Sequence, residues 1–198
     1  MKIALNKKNR SLLTEETEVL WGYKIPSHKK TFISSEPYKG FRDMEQEKNP
    51  FTSESNNKPR GLWYACGDDW VSWLRYSGMA SWVDDAHYLY EIIPGDDILK
   101  ISSGLGLRWL VKNFQDQNYS GWRKLNWKKL QDAGYTGIEI CPYSKEWEFQ
   151  EIDGKNRMIP GLWFGDWDVA SGCIWDKRGI KDIKLLKARG EFPDEADD

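Results

Sequence analysis

The chain has 198 residues, enough for a single domain. Its net charge of −2 argues against a broad phosphate-tracking face, although a local basic groove stays open. No apolar run approaches the ~20 residues of a membrane span, so a protein without a membrane segment, cytoplasmic in location, is expected.

Met1–Asn6 reads as a short strand. Thr17–Ile25 (T-E-V-L-W-G-Y-K-I) is rich in β-formers and stops at Pro26. Thr31–Ser34 is a second short run. From Ser35 to Arg60 the composition turns polar, which reads as a long loop at about residues 35–60. Gly61–Cys66 then reads as a strand, and Asp68 or Asp69 can cap a helix from Trp70 to about Ser77. His87–Ile93 and Asp97–Ser102 read as strands joined in a hairpin by a P-G-D turn.

Leu105, Trp109, Leu110 and Phe114 recur at helical spacing within about Gly104–Gln115. A second helix over about Asn126–Ala133 stops at Gly134. Thr136–Cys141 is a strand ended by Pro142, and Trp147–Ile152 is another, followed by a D-G turn. Gly161–Trp167, Ser171–Trp175 and Ile180–Leu186 read as the closing strands. The acidic tail over 191–198 is expected to fray. Strands outnumber helices and do not alternate regularly with them. The expected fold is therefore α+β, one domain over 1–190, with a split antiparallel β-sheet core and a few flanking helices.

Twelve tryptophans and three cysteines stand out in the composition. Most of the indoles must build the core, because each buries a large area. Any that are exposed mark a ring-binding site or an interface. Cys66, Cys141 and Cys173 are odd in number and widely spaced, which argues against a disulfide framework or a zinc knuckle. Buried reduced thiols are the expectation. His28 and His87 are the only histidines, so no histidine-based metal centre is expected.

Gly61–Trp70 (G-L-W-Y-A-C-G-D-D-W) carries the strongest site signal. Adjacent aromatics can hold a flat ring, and small residues let a ligand approach the backbone. Trp63 and Tyr64 alternate on a strand, so at least one of them belongs to the core. A related G-L-W-F begins at Gly161. Asp68 with Asp69, and Asp166 with Asp168, are the tightest acid clusters beside aromatics.

Four segments in order resemble ADP-ribosyltransferases of the poly-ADP-ribose polymerase and diphtheria-toxin type. G-L-W-Y-A resembles the family's G-[IL]-Y-F-[AS] strand beside nicotinamide. H-Y-L-Y-E-I-I resembles the strand that follows it. G-Y-T-G-I-E-I, from Gly134 to Ile140, resembles a G-Y-D-G-[IV] segment. S-G-C-I-W-D-K-R-G-I-K-D-I-K, from Ser171, is similar to a closing strand that begins with the catalytic Glu. The resemblance covers about Gly61–Leu186.

It implies NAD as substrate and a macromolecular acceptor, protein or nucleic acid. It also suggests a toxin or phage-defence effector, with an inhibitor or antitoxin protein as a further partner. Gly61, Trp63 and Tyr64 would hold nicotinamide, and Arg60 could meet a phosphate. The first strand offers Tyr23 and Lys24 in place of the family's His or Arg. Ser171 stands where the family has Glu, and Ser cannot stabilise a cationic sugar as a carboxylate does. Asp168 is the preferred substitute acid and Glu139 the second, although Asp168 could equally cap a turn. A degenerate nucleotide-binding or protein-interaction module is the alternative. A Trp-rich single-strand nucleic-acid binder is a further one.

Overall fold

The computed structural model describes residues 19–41, 58–115, 125–152, 155–158 and 162–190. The expectations for Met1–Asn6, most of the polar loop, Gly161 and the acidic tail lie outside these residues. The predicted strand over Thr17–Ile25 is broken in two. β1 (Val19–Leu20) and β2 (Tyr23–Lys24) pair as a minimal hairpin. Trp21 and Gly22 both take positive φ, 50° and 76°, as a two-residue turn matched to strand twist requires.

Seven strands form the main sheet. They are β3 (Lys30–Ser34), β4 (Leu62–Cys66), β5 (Tyr88–Pro94), β6 (Ile98–Ile101), β7 (Gly137–Ile140), β10 (Ser171–Ile174) and β11 (Ile180–Ala188). Their order is β11-β5-β3-β4-β10-β7-β6. A separate hairpin pairs β8 (Phe149–Ile152) with β9 (Lys155–Met158). Every pairing in the main sheet is antiparallel except β6 with β7. That parallel pair corrects the expected hairpin of His87–Ile93 with Asp97–Ser102. The P-G-D segment does not fold β6 back on β5; it carries the chain to the far edge of the sheet.

This connection dictates the shape of the sheet. Five inter-strand steps separate β5 from β6, about 24 Å in a flat sheet at ~4.8 Å per step. The link from Pro94 to Ile98 reaches at most about 14 Å when fully extended. The sheet must therefore curl. Tyr64, Ile92, Ile98 and Ile174, from four different strands, meet in one buried cluster inside the curl.

The outer face is covered by helices. α1 (Asp69–Tyr76) and α2 (Ser81–Asp84) bury Val71, Leu74 and Val83 against Leu89 and the β1–β2 hairpin. α3 (Gly104–Phe114) and α4 (Trp127–Asp132) cross from β6 to β7 and bury Leu107, Leu110 and Leu130 against Ile138 and Ile140. Ser103 caps α3 by accepting from Gly106 N–H, and Asn126 caps α4 by accepting from Lys129 N–H. The expected cap on α1 is not made: Asp68 sits at the cap position with no side-chain capping bond. Gly134 takes φ +92° beyond α4, the left-handed stop its sequence position suggested.

The expected strand over Gly161–Trp167 is instead α5 (Leu162–Gly165). Trp163, Phe164 and Trp167 are buried there beside Trp127 and Trp175. The fold is mixed α+β, built on a curled seven-stranded sheet with few helices.

Candidate functional site

The seam between β3 and β4 organises both polar and aromatic features. These strands pair only at Lys30 with Cys66 and at Thr31 with Ala65. Beyond Thr31 they splay, and β3 stays with β5 through Phe32, Ile33 and Ser34. Splaying leaves a cavity of about 570 Å³ lined by Gly61, Phe32, Tyr38, Trp63, Trp70 and Trp82, among others. Phe32 is held by stacking on Tyr90 at 5.0 Å, whose hydroxyl accepts from Tyr38 N–H at 2.9 Å. The size suits a ring-bearing ligand, because small-molecule sites run to a few hundred Å³.

Gly61 is required by close approach. A Cβ there would run into the Ile174 carbonyl and the Cys173 sulfur of β10. Trp63 leans on Trp167 at 4.8 Å and meets Trp70 edge-on at 6.5 Å. The Lys58 ammonium lies 5.6 Å from the Trp63 ring centre and 3.6 Å from the Asp168 carboxylate. Lys58 thus links Asp168 to the Trp63 ring, though neither Lys58 nor Asp168 is among the residues that line the cavity. Arg60 is half-buried just before β4.

Other predicted site residues lie elsewhere. Tyr64 points to the opposite face of β4 from Trp63, as strand alternation requires, and is fully buried inside the curl. Its hydroxyl donates to Glu139 at 2.9 Å. Ser171 is buried on the outer face, and its hydroxyl donates to the Val169 carbonyl at 3.0 Å. Tyr23 packs on the α1–α2 cluster from the small hairpin. Lys58 bridges Trp63 and Asp168, Tyr64 and Glu139 come together, and Ser171 and Tyr23 join neither group.

A second constellation occupies the paired end of the same seam. Tyr64 and Cys66 on β4 face inward together, as do Glu139 and Cys141 at the end of β7. Between them runs β10, with Gly172 opposite both Tyr64 and Glu139. The Lys30 ammonium reaches into this group. It lies 3.1 Å from Cys66 Sγ, 3.5 Å from Cys141 Sγ and 3.1 Å from a Glu139 carboxylate oxygen. The side chain of Lys30 is 23% exposed and that of Glu139 only 8%, so the group opens to solvent on the lysine side.

Electrostatics follow from this crowding. Burial alone would lower the Lys30 pKa, but attraction and hydrogen bonding to Cys66, with Glu139 and Cys141 adding, raise it. Cys141 is lowered to about 7, chiefly because Cys66 donates to it and further because Lys30 is near. Cys66 moves the other way, since that donated hydrogen bond and its burial favour the thiol. Burial and the neighbouring Glu139 push the Tyr64 phenol up. The cluster is therefore a charged pocket in which a lysine cation balances a carboxylate and an acidic thiol.

Sequence reasoning missed this cluster because its members sit on three strands. One signal was available: Y-A-C and E-I-C each place a polar side chain and a thiol two apart, on one face of a strand. No protein-family model matches the chain, and neither a curated protein nor a solved structure matches it.

Proposed function

We propose that the cleft between the splayed strands binds NAD through its nicotinamide ring and that the domain transfers ADP-ribose to a macromolecular acceptor. The observation that carries this reading is the aromatic cleft lined by Trp63, with Lys58 near the Trp63 ring and paired to Asp168 outside the cavity lining. A planar ring gains from stacking on indole, by about 1–3 kcal/mol per ring in base–aromatic contacts. Gly61 lines the same cleft beside Trp63. Breaking the nicotinamide–ribose bond builds positive charge on the sugar, and the acceptor nucleophile then takes the ribose carbon. A fixed carboxylate at that point lowers the barrier. Asp168 has that role in this reading, with Lys58 holding it in place until substrate enters. The likeness of four chain segments to ADP-ribosyltransferases supports NAD binding, while it puts Ser171 at the position of the family's Glu.

Calorimetric titration with NAD, followed by labelled NAD with a cell lysate, tests it. Binding and labelled product are expected. Trp63→Ala should weaken binding roughly tenfold, the loss of one stacked ring at about 1.4 kcal/mol. Asp168→Ala should abolish transfer while keeping binding. Absence of any heat of binding in the wild-type protein would overturn the proposal.

A second reading, binding without transfer, is favoured by one observation. Ser171, which aligns with the family's catalytic Glu, is buried against Val169 and away from the cleft. NAD binding with no labelled product, unchanged by Asp168→Ala, would select it.

A further inference from the structure

The cluster at the paired end of the β3–β4 seam has no part in the reading above. Its chemistry is that of a cation site. Cys66, Glu139 and Cys141 each present one donor atom, and these three atoms all lie within 4.8 Å of one another. Tetrahedral zinc, with Zn–S near 2.3 Å and Zn–O near 2.1 Å, needs donors about 3.5–3.8 Å apart. Closing the triangle takes a shift of about 1 Å. The Lys30 ammonium already stands among all three donors at 3.1 to 3.5 Å, as a cation would.

The strand geometry favours a shared atom over a disulfide. Cys66 and Cys141 flank β10 on β4 and β7, two inter-strand steps apart, about 10 Å between backbones. A disulfide spans no more than about 7 Å between Cα atoms. A metal with two thiolate bonds bridges the larger gap. Gly172 lets the Tyr64 ring lie across β10, and the Tyr64 hydroxyl orients Glu139 by donating to its other oxygen. An outer partner of this kind commonly positions a ligating carboxylate.

We propose that Cys66, Cys141 and Glu139 form a binding site for a thiophilic divalent cation, zinc by its donor set, with Lys30 as the gate that the metal displaces. Two thiolates and a carboxylate carry three negative charges. The metal and the displaced but neighbouring Lys30 balance them. Three protein ligands leave a fourth position on the solvent side, where water completes the coordination, as at zinc centres that act on a substrate. The inference is independent of NAD binding, because the cleft opens at the other end of the seam.

Cobalt(II) is the probe, titrated into the full chain after treatment with chelator and reductant. The expected result is one cobalt per chain, with a thiolate-to-cobalt charge-transfer band and the intense visible bands of four-coordinate cobalt, displaced by zinc. Cys66→Ser or Cys141→Ser should weaken binding more than about a hundredfold, beyond what loss of an outer partner costs, and reduce the charge-transfer band. Zinc should also protect Cys141 from alkylation and raise acylation of Lys30 by an amine reagent, both read by mass spectrometry. Those two readings need no variant to fold. A wild-type titration without the charge-transfer band would overturn the proposal. So would a band that persists in a folded Cys66→Ser/Cys141→Ser protein, or Lys30 acylation that falls on adding zinc. Chelator should leave the heat of NAD binding unchanged, so failure of one proposal does not imply failure of the other.

Discussion

Gly172 lies between Tyr64 and Glu139 on the inner face of β10, and its lack of a side chain sets what its neighbours do. A Cβ at this position would land on the Tyr64 ring and hydroxyl. The ring therefore lies across the glycine to reach Glu139. Gly172→Ala should cost about 1–3 kcal/mol in urea denaturation, the usual penalty for forcing atoms into a packed interior. In a Tyr64→Leu background the same change should cost under about 0.5 kcal/mol, because the colliding atoms are gone. An equal cost in both backgrounds would show that the ring is not what excludes the methyl. Strand alternation predicts that Trp63 and Tyr64 part company. It cannot say which enters the curl, since both faces of β4 are buried by apolar neighbours.

Among the elements, the turn that leads into β11 offers a charge test. Asp176 caps the 3-10 turn Lys177–Gly179 by accepting from Arg178 N–H at 2.9 Å, and its carboxylate also pairs with the Arg178 guanidinium. Hydrogen bonding from the Arg178 side chain, opposed by burial and helped by the backbone bond, holds the Asp176 carboxyl below its ordinary value. A depressed folded pKa means the contribution is fully present above the unfolded value near ~3.9 and is lost as pH falls through the lower folded one. Arg178 is 71% exposed, so the cap outweighs the ion pair. Asp176→Ala should destabilise by about 1 kcal/mol at neutral pH. The gap from wild type should narrow as the pH drops below about 4. A gap unchanged across that range in denaturant titrations would rule the linkage out.

Element type was legible wherever periodicity ran long, as in α3, or where a glycine or proline closed the run, as at α4 and β7. It failed at α5. A short apolar run such as L-W-F-G fits a buried strand or a buried helical turn equally, and packing of Trp163 and Phe164 against Trp127 and Tyr143 decides for the helix.

At the scale of the whole molecule, the curl is what local signals could not reveal. Pro94 and Gly95 announce a turn correctly, but turn chemistry does not say which strand the chain meets next. The answer depends on β3, β4, β10 and β7 filling the sheet between β5 and β6. The same long-range assembly brings Lys30, Cys66, Glu139 and Cys141 together, so the cluster was hidden for the same reason. Trp63 and Gly61 were found because their signal is local to one strand.

The curl makes a demand on an edge strand. In a flat sheet, a residue of β6 on the face without helices would stand in water, and truncating it would cost little. Here Ile98 is 4% exposed and packs with Tyr64, Ile92 and Ile174 inside the curve. Lys100, two residues on and on the same face, is exposed. Ile98→Ala should therefore cost about 2–5 kcal/mol, a core-like value. Lys100→Ala should stay within about 0.5 kcal/mol. A cycle with Ile92→Ala should give a coupling above about 0.5 kcal/mol, although four strands lie between β5 and β6 in the sheet. Additive effects would mean that β5 and β6 do not meet, and the sheet would then have to be open where the short link from Pro94 to Ile98 requires it to close.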